Sequence, residues 1–114
     1  MPSRPKRMLL TGPQHWTAGP VDDAVGFRLR WRGLRRSAGD HGMLLRTASV
    51  HGCGLQDPLW AVALSSRFDV RAVAVLGRGG LIVDPGATWF LELPGRWEPP
   101  RPGWRLRVER WPEP

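Results

Sequence analysis

Glycine and proline divide this chain into short segments, and this division constrains the fold more than any other feature. The 114 residues include 14 glycines and 12 prolines, and the longest uninterrupted apolar run is Leu59–Leu64. Pro58 and Ser65 bound that run, which is typical of a central strand buried on both faces. Short apolar runs between Gly and Pro turns predict a mainly β (α+β) domain.

Further segments have the residue pattern of strands. A short hairpin is expected around Gly12-Pro13, and Asp84-Pro85-Gly86 predicts a turn, because Pro fixes φ and Gly tolerates positive φ. The other candidate strands are Met43–Arg46, 69–76, Leu81–Val83, Thr88–Leu93 and Trp104–Val108. We therefore expect a small antiparallel barrel or sandwich of about seven short strands.

One segment, residues 22–36, has two interpretations. Its centre alternates apolar and polar residues as a half-buried strand does, yet apolar residues also recur from Ala24 to Leu34 at helical spacing. Acidic residues at the start and Arg35-Arg36 at the end are the charges that a helix dipole favours. The charge placement predicts one helix near residues 22–36.

The length indicates one domain over residues 1–114, with residues 1–7 expected to be flexible. A single cysteine excludes an internal disulfide and fits a reducing cytosol. No apolar run approaches the roughly 20 residues of a membrane span, and the N-terminus lacks a secretory apolar region. We therefore expect a cytoplasmic monomer with no membrane partner.

The chain is strongly basic, with sixteen Arg and one Lys against ten acidic residues and a formal charge of +7. Such a field attracts polyanions, so nucleic acid or an acidic protein is a candidate partner. Nearby tryptophans, among them Trp97 and Trp104, could stack on bases. The candidate polyanion-binding residues are Arg28, Arg32, Arg35, Arg36, Arg105 and Arg107. GC-rich codons explain the same composition, so a solvated arginine face is the simpler interpretation.

The segment Ala48–Ser65 holds the only cysteine, Cys53, two residues after His51. A zinc site needs three or four ligands, and no second cysteine or paired histidine accompanies these two, so no metal is predicted. A catalytic thiol needs an adjacent base. The simpler interpretation is a turn histidine bonded to a backbone carbonyl, beside a small buried thiol.

No other motif predicts a reaction or a cofactor. Asp40-His41 has the residue types of an acid–base pair, but such neighbours beside a glycine are more often solvated turn formers. Gly77–Gly80 lacks the lysine and following helix of a phosphate-binding loop. We therefore predict no catalytic residue and no cofactor.

From Arg32 onward, the order and spacing of short motifs resemble the domain of unknown function 192 family, which consists of small, mostly β-structured prokaryotic proteins. The matching segments are Arg32-Gly33-Leu34, Gly42–Leu45, Ser49-Val50-His51 with Gly54 and Pro58, Phe90–Gly95, and Pro102-Gly103 with Arg105 and Leu106. The resemblance covers about residues 21–109. It implies a small β fold with a helix at residues 22–36, and it implies no activity, since the family has none established.

The chain departs from the family pattern at polar positions. Trp60, Ser65 and Trp104 stand where the family has acidic residues, and Cys53 and Leu55 replace an aromatic residue and a Met. The loss of carboxylates argues against catalysis. The expected function is a non-catalytic binding or accessory module, with a polyanion binder as the alternative. The candidate pocket consists of His51, Cys53, Gly54, Leu55 and Trp60.

Overall fold

The computed structural model describes residues 7–24 and 41–112 of the chain. Of the segment 1–7 that we predicted to be flexible, only Arg7 is described, and it begins the first strand. The described strands are β1 (Arg7–Thr11), β2 (Thr17–Asp23), β3 (Gly42–Leu45), β4 (Ser49–His51), β5 (Leu59–Leu64), β6 (Val70–Leu76), β7 (Leu81–Val83), β8 (Trp89–Pro94) and β9 (Arg107–Arg110), with a 3-10 turn at Pro13–His15. Within the described ranges, no helix is long and apolar enough to cross a membrane.

Seven of the strands form one mixed sheet in the order β6-β5-β8-β3-β2-β1-β9, and β4 pairs with β7 in a second sheet. The mainly β prediction is confirmed, and so is the opening hairpin, which is β1–β2. The expectation of a purely antiparallel sheet is wrong, because β2 and β3 run parallel. Parallel neighbours need a crossover connection of about a dozen residues or more, and residues 24–41 provide that length.

The predicted helix at residues 22–36 is wrong at its start. Asp22 and Asp23 end strand β2, where Asp22 lies opposite Arg7 of β1 and Asp23 pairs with β3. Strand pairing on both sides outweighs the weak preference of acidic residues for a helix N-terminus. The rest of the predicted helix, from Val25 on, lies outside the described residues.

Strands β5 and β8 are buried on both faces, which confirms the prediction for Leu59–Leu64. Val62 and Leu91 belong to one hydrophobic cluster, whereas Ala61 and Phe90, their neighbours in sequence, belong to another. Successive side chains of a strand point to opposite faces, so the two clusters lie on opposite sides of the sheet. A strand with core on both sides has no polar face, which explains the unbroken apolar sequence of β5.

The strand expected at Trp104–Val108 begins later, at Arg107, and the residues before it contact the opposite edge of the sheet. Trp104 O accepts a hydrogen bond of 2.7 Å from the Val70 amide, and the Leu106 amide donates one of 2.9 Å to Phe68 O. The two edge strands of the sheet, β6 and β9, are thus connected through the segment that leads into β9.

The two-stranded sheet covers the second cluster. Val50 of β4 is buried in that cluster, and Ile82 of β7 packs against it. The residues on either side of them point the opposite way and form an exposed outer face. Across that face, Ser49 is opposite Val83 and His51 is opposite Leu81.

Candidate functional site

A cleft of about 540 Å³ lies at one end of the seven-stranded sheet. Because β3 and β5 both run antiparallel to β8, their first residues meet the last residues of β8 there, with Met43 opposite Glu92 and Leu59 opposite Pro94. A cleft of this size is typical of sites for small molecules. Its lining residues are His41, Gly42, Met43, Asp57, Pro58, Leu59, Glu92, Leu93, Pro94, Gly95 and Arg96.

His41 lines the cleft, and Asp22 fixes the orientation of its imidazole ring. His41 Nδ1 lies 2.9 Å from Asp22 Oδ2, and the other oxygen, Oδ1, accepts a hydrogen bond of 3.1 Å from Arg7 Nε. A carboxylate oxygen accepts hydrogen bonds, so the tautomer of His41 with its proton on Nδ1 suits this pair. Nε2 of His41 has no partner among the described residues and is the atom available to a ligand.

The parallel pairing of β2 and β3 places these two residues together. Asp22 at the end of β2 lies opposite Met43 of β3, two residues after His41. Nineteen positions separate Asp22 from His41 in the chain, so no local motif marks the pair. In the sequence, Asp40 is the acidic residue next to His41, whereas the carboxylate that contacts the ring belongs to Asp22.

Glu92 supplies a buried carboxylate to the cleft, with 4% of its surface exposed. Its neighbours on the adjacent strands are Met43 and Ala61, so it interrupts an otherwise apolar surface. A carboxylate is costly to bury unless it is hydrogen-bonded or paired. One acidic residue within the apolar sequence of β8 was therefore a signal for a polar site that the sequence analysis did not use.

The structure does not bring the five residues of the candidate pocket into one cavity. His51, Cys53 and Gly54 are exposed at the turn after β4, and none of the five lines the cleft. The Cys53 amide donates a hydrogen bond of 3.3 Å to His51 Nδ1. The histidine thus accepts a hydrogen bond from the backbone of the turn at this amide.

The expectation of a buried thiol is wrong. Cys53 is exposed and free, because it precedes Gly54 in a tight turn that directs its side chain to solvent. Gly54 has φ +83°, a conformation that favours glycine.

Leu55 and Trp60 belong to opposite sides of the sheet. Leu55 is 3% exposed in the second hydrophobic cluster, whereas Trp60 packs against the first cluster. Trp60 Nε1 is buried and has no hydrogen-bond partner among the described residues. Both residues therefore serve mainly as packing side chains.

At two other positions where the family pattern has acidic residues, the chain uses different side chains for local structure. Ser65 Oγ accepts a hydrogen bond of 3.0 Å from the Asp69 amide and donates one of 3.2 Å to its carboxylate. Ser65 therefore stabilises the turn between β5 and β6. Trp104 packs against the first cluster and meets Trp16 edge-on, with ring centroids 6.5 Å apart.

The arginines that we proposed for polyanion binding fall into three groups. Arg105 is engaged with Asp69, through hydrogen bonds of 2.7 Å from Nε and 3.3 Å from Nη2. Arg107 is exposed on β9, opposite Thr11. The others lie outside the described residues: Arg28, Arg32, Arg35 and Arg36.

The tryptophans near these arginines do not form an exposed stacking surface. Trp97 and Trp104 pack against the first cluster, and Trp111 lies over Gly19, where a side chain would collide with its ring. All three are only partly exposed. Packing against the protein therefore leaves less ring area for stacking on bases than a fully exposed tryptophan would offer.

The fold and the cleft define a small domain built on a mixed seven-stranded sheet. Among solved structures it is similar to a proposed transcription regulator from Sinorhizobium meliloti 1021, with 25% identity, a TM-score of 0.65, and coverage of 90% of this chain and 92% of that chain. It is also similar to a protein of unknown function from Novosphingobium aromaticivorans DSM 12444, with 16% identity, a TM-score of 0.66, and coverage of 89% and 83%. No protein-family model and no curated protein matches the chain.

Proposed function

We propose that the protein is a divergent member of the domain of unknown function 192 family and acts as a non-catalytic binding module. Its ligand site is the cleft that His41, Asp57 and Glu92 line together with apolar side chains. The convergence of these polar groups on a ligand-sized cleft is the observation that carries the proposal. Binding sites of this kind combine apolar walls with a few oriented polar groups.

The lining residues define the chemistry of the ligand. His41 Nε2 and the exposed carboxylate of Asp57 offer hydrogen bonds, while Met43, Leu59 and Leu93 offer apolar contact. A small organic molecule with a polar head group and an apolar body fits this combination.

A fragment screen by ligand-observed NMR tests the site. We expect fragments with a hydrogen-bonding head group to bind the wild-type protein. Asp57→Trp should abolish this binding, because an indole ring at position 57 fills the cleft. Gln56→Trp is the matched control, since Gln56 is exposed next to Asp57 but does not line the cleft. Equal binding by both variants would show that the fragments bind elsewhere, and the proposal would fail.

His41 provides a second test of the same site. His41→Ala removes the available nitrogen and should weaken binding of the fragment hits by about fivefold to tenfold, the cost of one hydrogen bond to a ligand. Asp22→Asn keeps the imidazole ring of His41 but changes the hydrogen-bond partner of that ring. Asp22→Asn should therefore weaken fragment binding less than His41→Ala does. Unchanged affinity in His41→Ala would mean that the ligand does not contact His41.

We also propose that the mixed sheet closes as a small barrel. The hydrogen bonds that link residues 68–70 to residues 103–106 support closure between β6 and β9, as does the bridge between Asp69 and Arg105. The Val70 and Leu106 amides should then exchange with solvent as slowly as those of the central strands.

A polyanion binder is the second candidate. Arg101, Arg107 and Arg110 are exposed and have no acidic partner among the described residues, and one structural neighbour is a proposed transcription regulator. If these three side chains met phosphates of a single strand, the affinity should fall with salt with a logarithmic slope of about −2. Arg107→Gln should then reduce the slope by about 0.7. Absence of oligonucleotide binding at low salt would exclude this function.

A further inference from the structure

Among the described strands, β7 pairs along one edge only, with β4. The Gly52 amide donates to Gly80 O, and the Asp84 amide donates to Ala48 O, each at 2.8 Å. In an antiparallel pair, directly opposite residues alternate between hydrogen-bonded and non-bonded positions. Ile82, midway between Gly80 and Asp84, is therefore the bonded residue of β7.

The residues on either side of Ile82 direct their backbone groups away from β4. The amides and carbonyls of Leu81 and Val83 have no partner among the described residues, because β7 pairs with β4 alone. These groups form a row of two donors and two acceptors along the outer edge. Such an edge is a template for another strand.

The same two residues carry exposed aliphatic side chains. Leu81 is 68% exposed and Val83 is 58% exposed; with Val75 they are the large hydrophobic side chains exposed in the described parts of the chain. Natural edge strands are protected by short length, which β7 has with its three residues, or by a charge or a proline within the strand. Between Gly80 and Val83 this edge has neither a charge nor a proline.

We propose that a second copy of this chain pairs with β7 along this edge. An antiparallel pairing centred on Ile82 places Leu81 opposite the partner's Val83, and Val83 opposite the partner's Leu81. The amides and carbonyls of Leu81 and Val83 in one copy then bond to those of Val83 and Leu81 in the other. A two-fold axis relates the two copies, as in every isologous interface. The result is a continuous four-stranded sheet in the order β4-β7-β7-β4.

The surroundings favour a second copy over an unrelated strand. In the dimer the four aliphatic side chains form a central apolar group, and the Ser49 and His51 side chains of each β4 border it, as polar residues border the apolar centre of interfaces. Strand β7 contains no charged residue, so no like charges lie opposite each other when two copies of it pair.

The interface is small, and two copies of charge +7 repel each other, so association should be weak and should increase with salt. The sequence predicts a monomer; under this proposal the protein forms a dimer when its concentration is high.

Sedimentation equilibrium on the full chain tests the proposal. Between about 10 μM and about 1 mM protein in about 0.3 M salt, where charge repulsion is screened, the mean mass should rise from 12.8 kDa toward twice that value. Val83→Lys should remain monomeric over the same range. Val75→Lys is the matched control, because Val75 is 57% exposed but lies on β6, and it should associate like the wild type.

Amide exchange separates this interface from any other mode of association. The Ile82 amide should be protected at every concentration, since it bonds to β4. The Leu81 and Val83 amides should be unprotected in dilute protein and at least tenfold slower to exchange in concentrated protein. A constant mass of 12.8 kDa at the highest concentration, or association without slowing of these two amides, would overturn the proposal. The outcome is independent of whether the cleft binds a ligand.

Discussion

The indole nitrogen of Trp16 donates a hydrogen bond of 2.9 Å to the backbone carbonyl of Glu98. This bond connects the β1–β2 hairpin to the proline-rich segment that follows β8, across 82 positions of the chain. Trp60, in contrast, buries its Nε1 without a hydrogen-bond partner in the part of the chain that the structure describes. The two tryptophans therefore allow the same substitution to be compared in opposite hydrogen-bonding situations.

Trp16→Phe should destabilise the domain by about 1–3 kcal/mol. The substitution removes the donor, leaves the carbonyl of Glu98 without this partner, and removes part of a buried ring. The free energy of unfolding from urea titration measures the loss. A stability equal to that of the wild type would show that the hydrogen bond to Glu98 makes no net contribution to the free energy of unfolding.

Trp60→Phe should cost less than Trp16→Phe and should leave the stability within about 1 kcal/mol of the wild type. The substitution removes ring area but also removes a buried donor whose desolvation nothing offsets. The same urea titration gives the comparison. A larger loss in Trp60→Phe than in Trp16→Phe would mean that Nε1 of Trp60 has a partner in solution.

Gly52→Ala should destabilise the domain by about 2–4 kcal/mol. A methyl group at position 52 would overlap the backbone carbonyl oxygen of Gly77, and a backbone atom held in the turn between β6 and β7 cannot move aside. Gly77→Ala is the control, because a Cβ there meets no atom, and it should change stability by about 0.5 kcal/mol or less. Equal melting temperatures for the two variants would contradict the close approach of these turns.

Arg105→Gln should make the free energy of unfolding of the domain depend less on pH in the acidic range. The hydrogen bond from Arg105 holds the pKa of Asp69 below its usual value of 3.8. A carboxyl with a pKa depressed in the folded state stabilises the fold above its usual pKa, and this contribution is lost as pH falls through the folded value. The variant should therefore be less stable than the wild type near neutral pH, with a difference that shrinks below pH 3.8.

Urea midpoints at several pH values measure this effect. The pair is exposed, with side-chain exposures of 62% for Arg105 and 39% for Asp69, so water and salt screen it and the difference should be small. Arg107→Gln is the control, since Arg107 has no acidic partner among the described residues. A pH dependence of equal size in the control would assign the effect to net charge rather than to the pair.

The strands were predictable because their signals are local. The apolar run Leu59–Leu64 showed a strand with core on both faces, and Asp84-Pro85-Gly86 showed a turn. In that turn the Ala87 amide bonds to Asp84 O at 2.9 Å, and the Asp84 side chain accepts from the Gly86 amide at 3.0 Å. Such signals depend on residues a few positions apart, which sequence pattern reports directly.

The cleft was not predictable in the same way. The pairing of Asp22 with His41 depends on the parallel contact of β2 and β3, and Asp22 was assigned to a helix because its charge suits a helix N-terminus. The order of the strands in the sheet determines which strand ends lie next to each other, and local sequence patterns do not specify that order. Glu92 is the exception, because an acidic residue in a buried strand is visible in the sequence.

The pairing of β1 with β9 has a consequence for synthesis on the ribosome. Strand β1 can form its hairpin with β2 as soon as both are made, but its other edge stays open until residues 107–110 are made. The bonds from residues 68–70 to residues 103–106 are equally delayed. The nascent chain therefore carries two unpaired sheet edges until residues 103–110 are made, and unpaired strand edges are prone to aggregation during that interval.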